Sequence, residues 1–197
     1  MIGLTGSVAM GKSTVAGFLK HLGIPVFDAD RVVHALLGPK GKALQAVEAR
    51  FPGTVDRKGA NRKVLGAKVF ADRAALKDLE AIIHPLVRED RERFLQRAGL
   101  ARYPIVVLDV PLLFEGKIDA ICDFVIVISA PSFLQRQRAL ARPGMTPARL
   151  QSILSLQWSD VRKRAAADVV LPSGLGKRET LRRLTQTLRL LKIRRRN

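Results

Sequence analysis

The sequence predicts an α/β fold, a parallel five-stranded sheet flanked by helices that carries a helical insertion and a second helical excursion. Three observations predict it. Five short apolar runs recur along the chain, at Ile2–Thr5, Pro25–Phe27, Ile105–Leu108, Phe124–Ile128 and Val169–Leu171. Several are apolar throughout instead of alternating, which is the pattern of strands covered on both faces. Longer stretches of helical periodicity separate them, the element order of a parallel sheet between helix layers. At 197 residues with 47% hydrophobic content, the chain reads as a single domain over 1–197 with a modest insertion, too short for two domains of ordinary size.

The elements follow in order. After the first strand comes a glycine turn, then Ser13–Leu22 with Val15, Phe18, Leu19 and Leu22 at helical spacing, closed by Gly23-Ile24-Pro25. The second strand leads to a helix opening at Arg31. From there to Arg102 no run is as convincing a strand as the five above. Leu76, Leu79, Ile82, Ile83, Leu86 and Val87 share one helical face, and Arg88–Arg93 continues it, so the insertion is expected to be mostly helical, with its principal part at about 58–102. The fourth strand is followed by an arginine-rich helical excursion, Ser132–Ala167, broken by the turn Pro143-Gly144-Met145-Thr146-Pro147; a lid is expected over about 132–165. Glu179–Arg196 reads as a terminal amphipathic helix with Leu181, Leu184, Leu188 and Leu191 as its stripe.

Composition narrows the partners. No stretch approaches the roughly 18 uncharged apolar residues of a membrane helix, so no membrane partner is expected. Cys122 is the only cysteine, which excludes a disulfide framework and a thiolate zinc cluster and fits a reducing cytoplasm. The balance of 35 basic against 17 acidic residues gives a formal charge of +18 and points to polyanions. Three readings stand side by side: a nucleic-acid binder, an enzyme whose small substrates carry several phosphates, or solvated helix faces rich in arginine, the last applying above all to the tail Lys192–Arg196. Charge does not choose among them, and the sequence is silent on oligomeric state.

The stretch Gly6-Ser7-Val8-Ala9-Met10-Gly11-Lys12-Ser13 does choose. It satisfies the Walker A pattern at every fixed position and lies between an apolar strand and a helix, where that pattern has its physical meaning. The four fixed positions arise by chance in about one chain of this length in a hundred. The amides of Ala9, Met10, Gly11, Lys12 and Ser13 are expected to face the phosphates of ATP, with Lys12 reaching the β- and γ-phosphates and Ser13 holding Mg²⁺. No Asn-Lys-x-Asp segment follows a later strand, which argues against a guanine-specific GTPase, and a motor ATPase is normally larger. A small kinase of the P-loop nucleotide-kinase type leads.

In an open α/β sheet the ligand lies beyond the carboxyl ends of the strands, and three acids stand there: Asp28 and Asp30 after the second strand and Asp109 closing the third. A kinase needs a group to take or orient the acceptor proton and a carboxylate near magnesium. Each acid has a plainer use as a cap or turn residue, and Asp30 stands where it would cap the helix at Arg31. Arg136, Arg138 and Arg142 approximately share a face in the expected lid. Arg142, beside the Pro143-Gly144 turn, is the one best placed to meet a transferring phosphoryl group, whereas Arg136 reads as solvated surface.

The assembled motifs resemble the dephospho-CoA kinase family. The segments GLTGSVAMGKSTVAGFL, GIPVFDAD, LEAIIHPLVR, VVLDVPLLFE, ILSLQ and AADVVL occur in the family's order and span nearly the whole chain. The resemblance implies transfer of the ATP γ-phosphate to the ribose 3′-hydroxyl of dephospho-CoA. It implies Asp30 as general base, with Lys12 and Arg142 also catalytic. Lys12, Ser13 and Thr14 would bind ATP phosphates, with Arg138 and Arg142 as lid arginines near ATP. It places His84 and the turn Leu112, Leu113, Phe114 and Glu115 around the acceptor; Asp28 and Asp109, by their position at strand ends, are expected to serve either the acceptor or magnesium. Ala9-Met10 replaces a smaller pair common in this loop, so the Met10 side chain must point away from the phosphates. Two phosphate-bearing substrates account for much of the basic charge without a nucleic acid. The rivals are a kinase of another small acceptor, such as a nucleoside, and a nucleic-acid-dependent ATPase using the basic terminal helix.

Overall fold

The computed structural model describes residues 1–70 and 72–194. Two compact units make up the chain, Met1–Phe27 with Tyr103–Asn197, and Asp28–Arg102. The first unit opens with β1 (Ile2–Thr5), α1 (Lys12–His21) and β2 (Val26–Asp28), whose last residue begins the second unit. The second unit holds α2 (Ala29–Leu36), α3 (Leu44–Arg50), β3 (Val55–Asp56), β4 (Gly59–Ala60), α4 (Arg62–Phe70) and α5 (Arg73–Leu100). The chain returns to the first unit with β5 (Val107–Asp109), β6 (Phe124–Ser129), α6 (Ser132–Leu140), α7 (Pro147–Ser155), α8 (Asp160–Ala165), β7 (Val169–Pro172) and α9 (Lys177–Arg194).

The five long strands form one sheet in the order β2-β5-β1-β6-β7. β1 runs parallel to β5, with Ile2 opposite Val107, and to β6, with Ile2 opposite Phe124; β6 runs parallel to β7. The expected α/β sheet is thus present, with strand ends shifted by a residue or two. Leu4, Val107, Ile126 and Ile128 are wholly buried, and Val15 and Leu19 of α1 with Leu184 and Leu188 of α9 complete that core. Each fully buried aliphatic side chain contributes about 1.5–3 kcal/mol. The terminal helix therefore owes its place to the leucine stripe; residues 195–197 of the basic tail lie outside the described residues. Among the described residues no helix is long and apolar enough to cross a membrane.

The second unit is helical around its own core of Leu36, Val47, Leu65, Val69, Ala75 and Ile83. This agrees with the expectation of a mostly helical insertion, to which the structure adds a small hairpin that the sequence did not single out. β3 and β4 pair antiparallel, Val55 opposite Ala60. Asp56 accepts the Lys58 amide at 2.6 Å, and Gly59 takes φ +103, where a Cβ would lie 2.6 Å from the Leu37 carbonyl oxygen. Each strand is two residues long, so no periodicity betrays the hairpin; its signal is the turn chemistry of Asp56-Arg57-Lys58-Gly59. Glu48 fixes the approach, its carboxylate accepting from the amides of Gly53, Thr54 and Val55 at 2.6, 3.1 and 2.8 Å. These bonds, led by Gly53, hold its pKa below the ordinary carboxylate value.

A second difference concerns α2. The helix begins at Ala29, two residues before the expected start, because Asp28 is its N-cap and accepts the Arg31 amide at 3.0 Å. The cap is therefore Asp28 and not Asp30. In α5 the helix runs through Pro85, which has no N–H to give the Ala81 carbonyl four residues back.

Because Glu48 has a lowered folded-state pKa, its contribution to stability is present above the unfolded value of 4.5 and is lost as pH falls through the lowered one. Thermal melts should therefore show Glu48→Gln less stable than wild type at neutral pH, with the gap narrowing as pH falls below 4.5. A gap constant across that window would refute the assignment.

Candidate active site

The loop from Gly6 to Ser13 leaves β1 and enters α1. Its course depends on two glycines. A Cβ on Gly6 would stand 2.6 Å from the Ile128 carbonyl oxygen, so only glycine lets the chain leave β1 this close to β6. Gly11 is the N-cap of α1 with φ +94, and Ala9 also takes the left-handed region at φ 61, a conformation costing a non-glycine residue about 1 kcal/mol. Among the described residues nothing accepts from the amides of Ala9, Gly11, Lys12 and Ser13, whereas the Met10 amide donates to the Ser7 carbonyl at 3.2 Å. Unclaimed amides at a helix N-terminus form an anion-binding array.

Distant side chains hold this loop. Val8 gives its amide to Gln157 Oε1 at 3.1 Å, and its carbonyl accepts from Gln135 Nε2 at 2.9 Å. Met10 is 2% exposed, its sulfur accepting the Ala130 amide at 3.1 Å, so the side chain packs at the end of β6. Ser173 Oγ donates to the Met10 carbonyl at 2.6 Å. Arg138 in turn donates to Ser173 Oγ at 3.0 Å and to its carbonyl at 2.9 Å. Arg138 is thus committed to the loop after β7, while Arg142 and Arg136 are exposed and their guanidinium groups make no hydrogen bond among the described residues.

Lys12 Nζ meets Asp109 Oδ1 at 2.6 Å, with the Asp109 side chain only 4% exposed. A carboxylate that deep needs a cation, and Lys12 supplies it. Asp109 is the last residue of β5, so the sheet itself aims the acid at the loop. Ser13 is exposed and its hydroxyl makes no hydrogen bond among the described residues; Thr14, half-buried, donates its amide to the Gly11 carbonyl at 3.0 Å. Among the described residues no three His, Cys, Asp or Glu side chains gather to hold a metal ion. A hard cation here would be held through the Ser13 hydroxyl together with a ligand's own phosphate oxygens, which suits magnesium.

The turn after β5 divides into different environments. Leu112 is exposed, whereas Leu113 is wholly buried and offers no surface to a ligand. Phe114 stacks on Trp158 with centroids 5.4 Å apart and planes 6° from parallel, and Arg162 lies 3.4 Å above the same indole. Glu115 accepts the Trp158 amide at 2.6 Å and pairs with Lys163 at 3.0 Å.

In the second unit, Asp28 caps α2 and leaves Asp30, in the first turn, exposed with no hydrogen bond to its carboxylate among the described residues. His34, one turn further along α2, receives Arg62 Nη1 on Nε2 at 2.7 Å. His84 is exposed on α5, in a shallow depression of about 320 Å³ with Pro85, Arg88 and Glu92. Sequence reading leaves out Gln135, Gln157, Trp158 and Lys163. Gln157 closes the ILSLQ segment and was within reach of the motif; Lys163, inside an arginine-rich helix, carries no local signal of its burial.

Comparison with known proteins gives one result. Residues 1–176 match the family model described as dephospho-CoA kinase. A protein of Rhodospirillum rubrum named dephospho-CoA kinase is 53% identical over 189 residues, covering 95% of this chain and 90% of its own. Among solved structures, a Thermus thermophilus protein, TT1252, superposes with a TM-score of 0.81 at 31% identity, covering 95% of this chain and 94% of that one. The dephospho-CoA kinase of Campylobacter jejuni has the same fold, with a TM-score of 0.64 at 24% identity over 95% of both chains.

Lys12→Ala is expected to abolish ATP turnover and to lower the unfolding free energy by about 1.5–3 kcal/mol, because it removes the charge-assisted hydrogen bond to the buried Asp109 carboxylate. Adding Asp109→Asn should restore part of that stability and none of the activity. Urea unfolding of Lys12→Ala, Asp109→Asn and the double variant checks this, and destabilisations that simply add would contradict it.

Proposed function

The chain belongs to the dephospho-CoA kinase family, and on that premise we propose that Asp30 is the general base that takes the proton from the acceptor hydroxyl. The enzyme transfers the γ-phosphoryl group of ATP to the ribose 3′-hydroxyl of dephospho-CoA, the final step of coenzyme A synthesis. The observation that carries the assignment of the base is the division of work among three acids. Asp28 holds the N-terminus of α2, Asp109 faces Lys12, and Asp30 keeps an exposed carboxylate with no hydrogen bond among the described residues. A base must be free to bond the proton that it abstracts.

The remaining roles follow from what each group has available. The unclaimed amides of Ala9, Gly11, Lys12 and Ser13 bind phosphate oxygens, and the Lys12 ammonium exchanges part of its contact with Asp109 for the β- and γ-phosphates. Thr14 supports the start of α1. Arg142, whose guanidinium makes no hydrogen bond among the described residues, stabilises charge on the transferring group, while Arg138 serves ATP through the loop that it braces. Ser13 would hold a magnesium ion through its hydroxyl, and the ion would supply neutralisation of phosphate charge. His84 and Leu112, both exposed, contact the acceptor; Phe114, 5% exposed and stacked on Trp158, joins Leu113 and Glu115 in shaping the turn on which Leu112 stands and offers the acceptor no open ring face. The reducing cytoplasm is the compartment, and the basic surface serves phosphate-bearing substrates in preference to a nucleic acid.

Asp30→Asn should reduce kcat by about 10²–10⁴-fold while leaving the KM for ATP within about threefold. Release of ADP with dephospho-CoA as acceptor, compared with nucleosides, measures this. Near-normal turnover by the variant would remove Asp30 from the role, and a preference for nucleosides would overturn the choice of acceptor.

A further inference from the structure

Lys163, on α8 in the first unit, has a side chain with 0% exposure. Burial pulls its pKa down, and the hydrogen bond and charge of Glu115 oppose that shift. An uncharged side chain of similar length would fill the same space without the cost of desolvating an ammonium group. The ammonium is fully used. It donates to the Pro111 carbonyl at 2.9 Å and pairs with Glu115, 3.0 Å from Oε1 and 3.3 Å from Oε2.

The Pro111 carbonyl lies two residues beyond Asp109. It receives a second hydrogen bond, from Thr5 Oγ1 at 3.0 Å, and the intervening Val110 amide donates to the Leu4 carbonyl at 3.0 Å. The backbone that carries the Asp109 carboxylate is therefore fixed by β1 on one side and by Lys163 on the other. The helix bearing Lys163 is itself anchored where Asp160 accepts Ser129 Oγ at 2.7 Å, at the end of β6. The nearby charge of Lys12 adds, as the smallest of the influences on it, to what disfavours the Lys163 ammonium.

We propose that Lys163 is a positioning residue for phosphoryl transfer: by pinning the Pro111 carbonyl and the Glu115 carboxylate it sets Asp109 opposite Lys12, and so sets where the Lys12 ammonium stands. Lys163 reaches no substrate in this account; it acts through the Asp109–Lys12 pair. The inference rests on the kinase reading above.

Lys163→Met removes the ammonium at nearly constant length, and Lys163→Arg keeps the charge. In the ADP-release assay Lys163→Met is expected to lower kcat by about 10–100-fold, with KM for dephospho-CoA changed less than about threefold. Lys163→Arg should recover much of the loss. Since both residues act through one pair, Asp109→Asn should cost at least about tenfold less in the Lys163→Met background than in wild type. The proposal is overturned if folded Lys163→Met keeps kcat within about twofold of wild type, or if the two substitutions act independently. Should Lys163→Met fail to fold, Thr5→Val decides: removing the other donor to the Pro111 carbonyl lowers kcat severalfold if the position of that carbonyl governs Asp109, and an unchanged kcat refutes it. Wild-type protein that ignores dephospho-CoA counts against the kinase reading alone, and the Lys163→Met to wild-type ratio is then read from acceptor-independent ATP hydrolysis.

Discussion

A loop that binds phosphate must keep several amides unpaired and convergent before any anion arrives to hold them. Left to itself, such a segment would satisfy those groups with its own carbonyls or collapse into an ordinary turn. Here the backbone has no such freedom. Ile128 presses on Gly6, two glutamines hold the Val8 peptide, and Ser173 holds the Met10 carbonyl. The ordering entropy of the loop is thus met during folding, and a phosphate bound as proposed would meet amides already fixed in place.

The ionic groups around this loop repeat the same economy. A chain with a formal charge of +18 has cations in excess, yet three acids near the loop, one buried and two half-buried, each meet a definite partner through at least one oxygen. Asp109 faces Lys12, Glu115 faces Lys163, and Asp160 accepts a serine hydroxyl. Buried pairs of this kind add little net stability over apolar packing. What they give is direction, because a hydrogen-bonded charge tolerates fewer orientations than a methyl group. The strand ends and the turn after β5 are the places where direction decides chemistry.

Much of this was legible in the sequence, and the limits have physical causes. The five strands announced themselves because buried parallel strands are apolar on both faces, and the loop did so because its glycines and lysine recur at fixed spacing. The hairpin at Val55–Ala60 escaped because two-residue strands have no period. Residue types placed three acids near strand ends but could not separate a cap from a free carboxylate; that distinction turns on α2 starting at Ala29 instead of Arg31. Likewise the sequence sets Arg142 apart by its place beside a turn but gives no sign that Arg138 is engaged elsewhere, which depends on Ser173, thirty-five residues on. Long-range hydrogen bonds between polar side chains and backbone leave no periodic trace.

The two glutamines that grip Val8 come from α6 and from the residues just after α7. Displacing either segment turns that peptide, and turning it re-aims the amides downstream. Were a bound nucleotide to favour one placement of these helices, occupancy and placement would share one coupling free energy. Whatever factor the helices impose on affinity, the nucleotide returns to the helices unchanged. Glutamine, able to donate to a carbonyl and accept from an amide while carrying no charge, transmits that displacement without adding to the electrostatic demand around a tetra-anionic ligand.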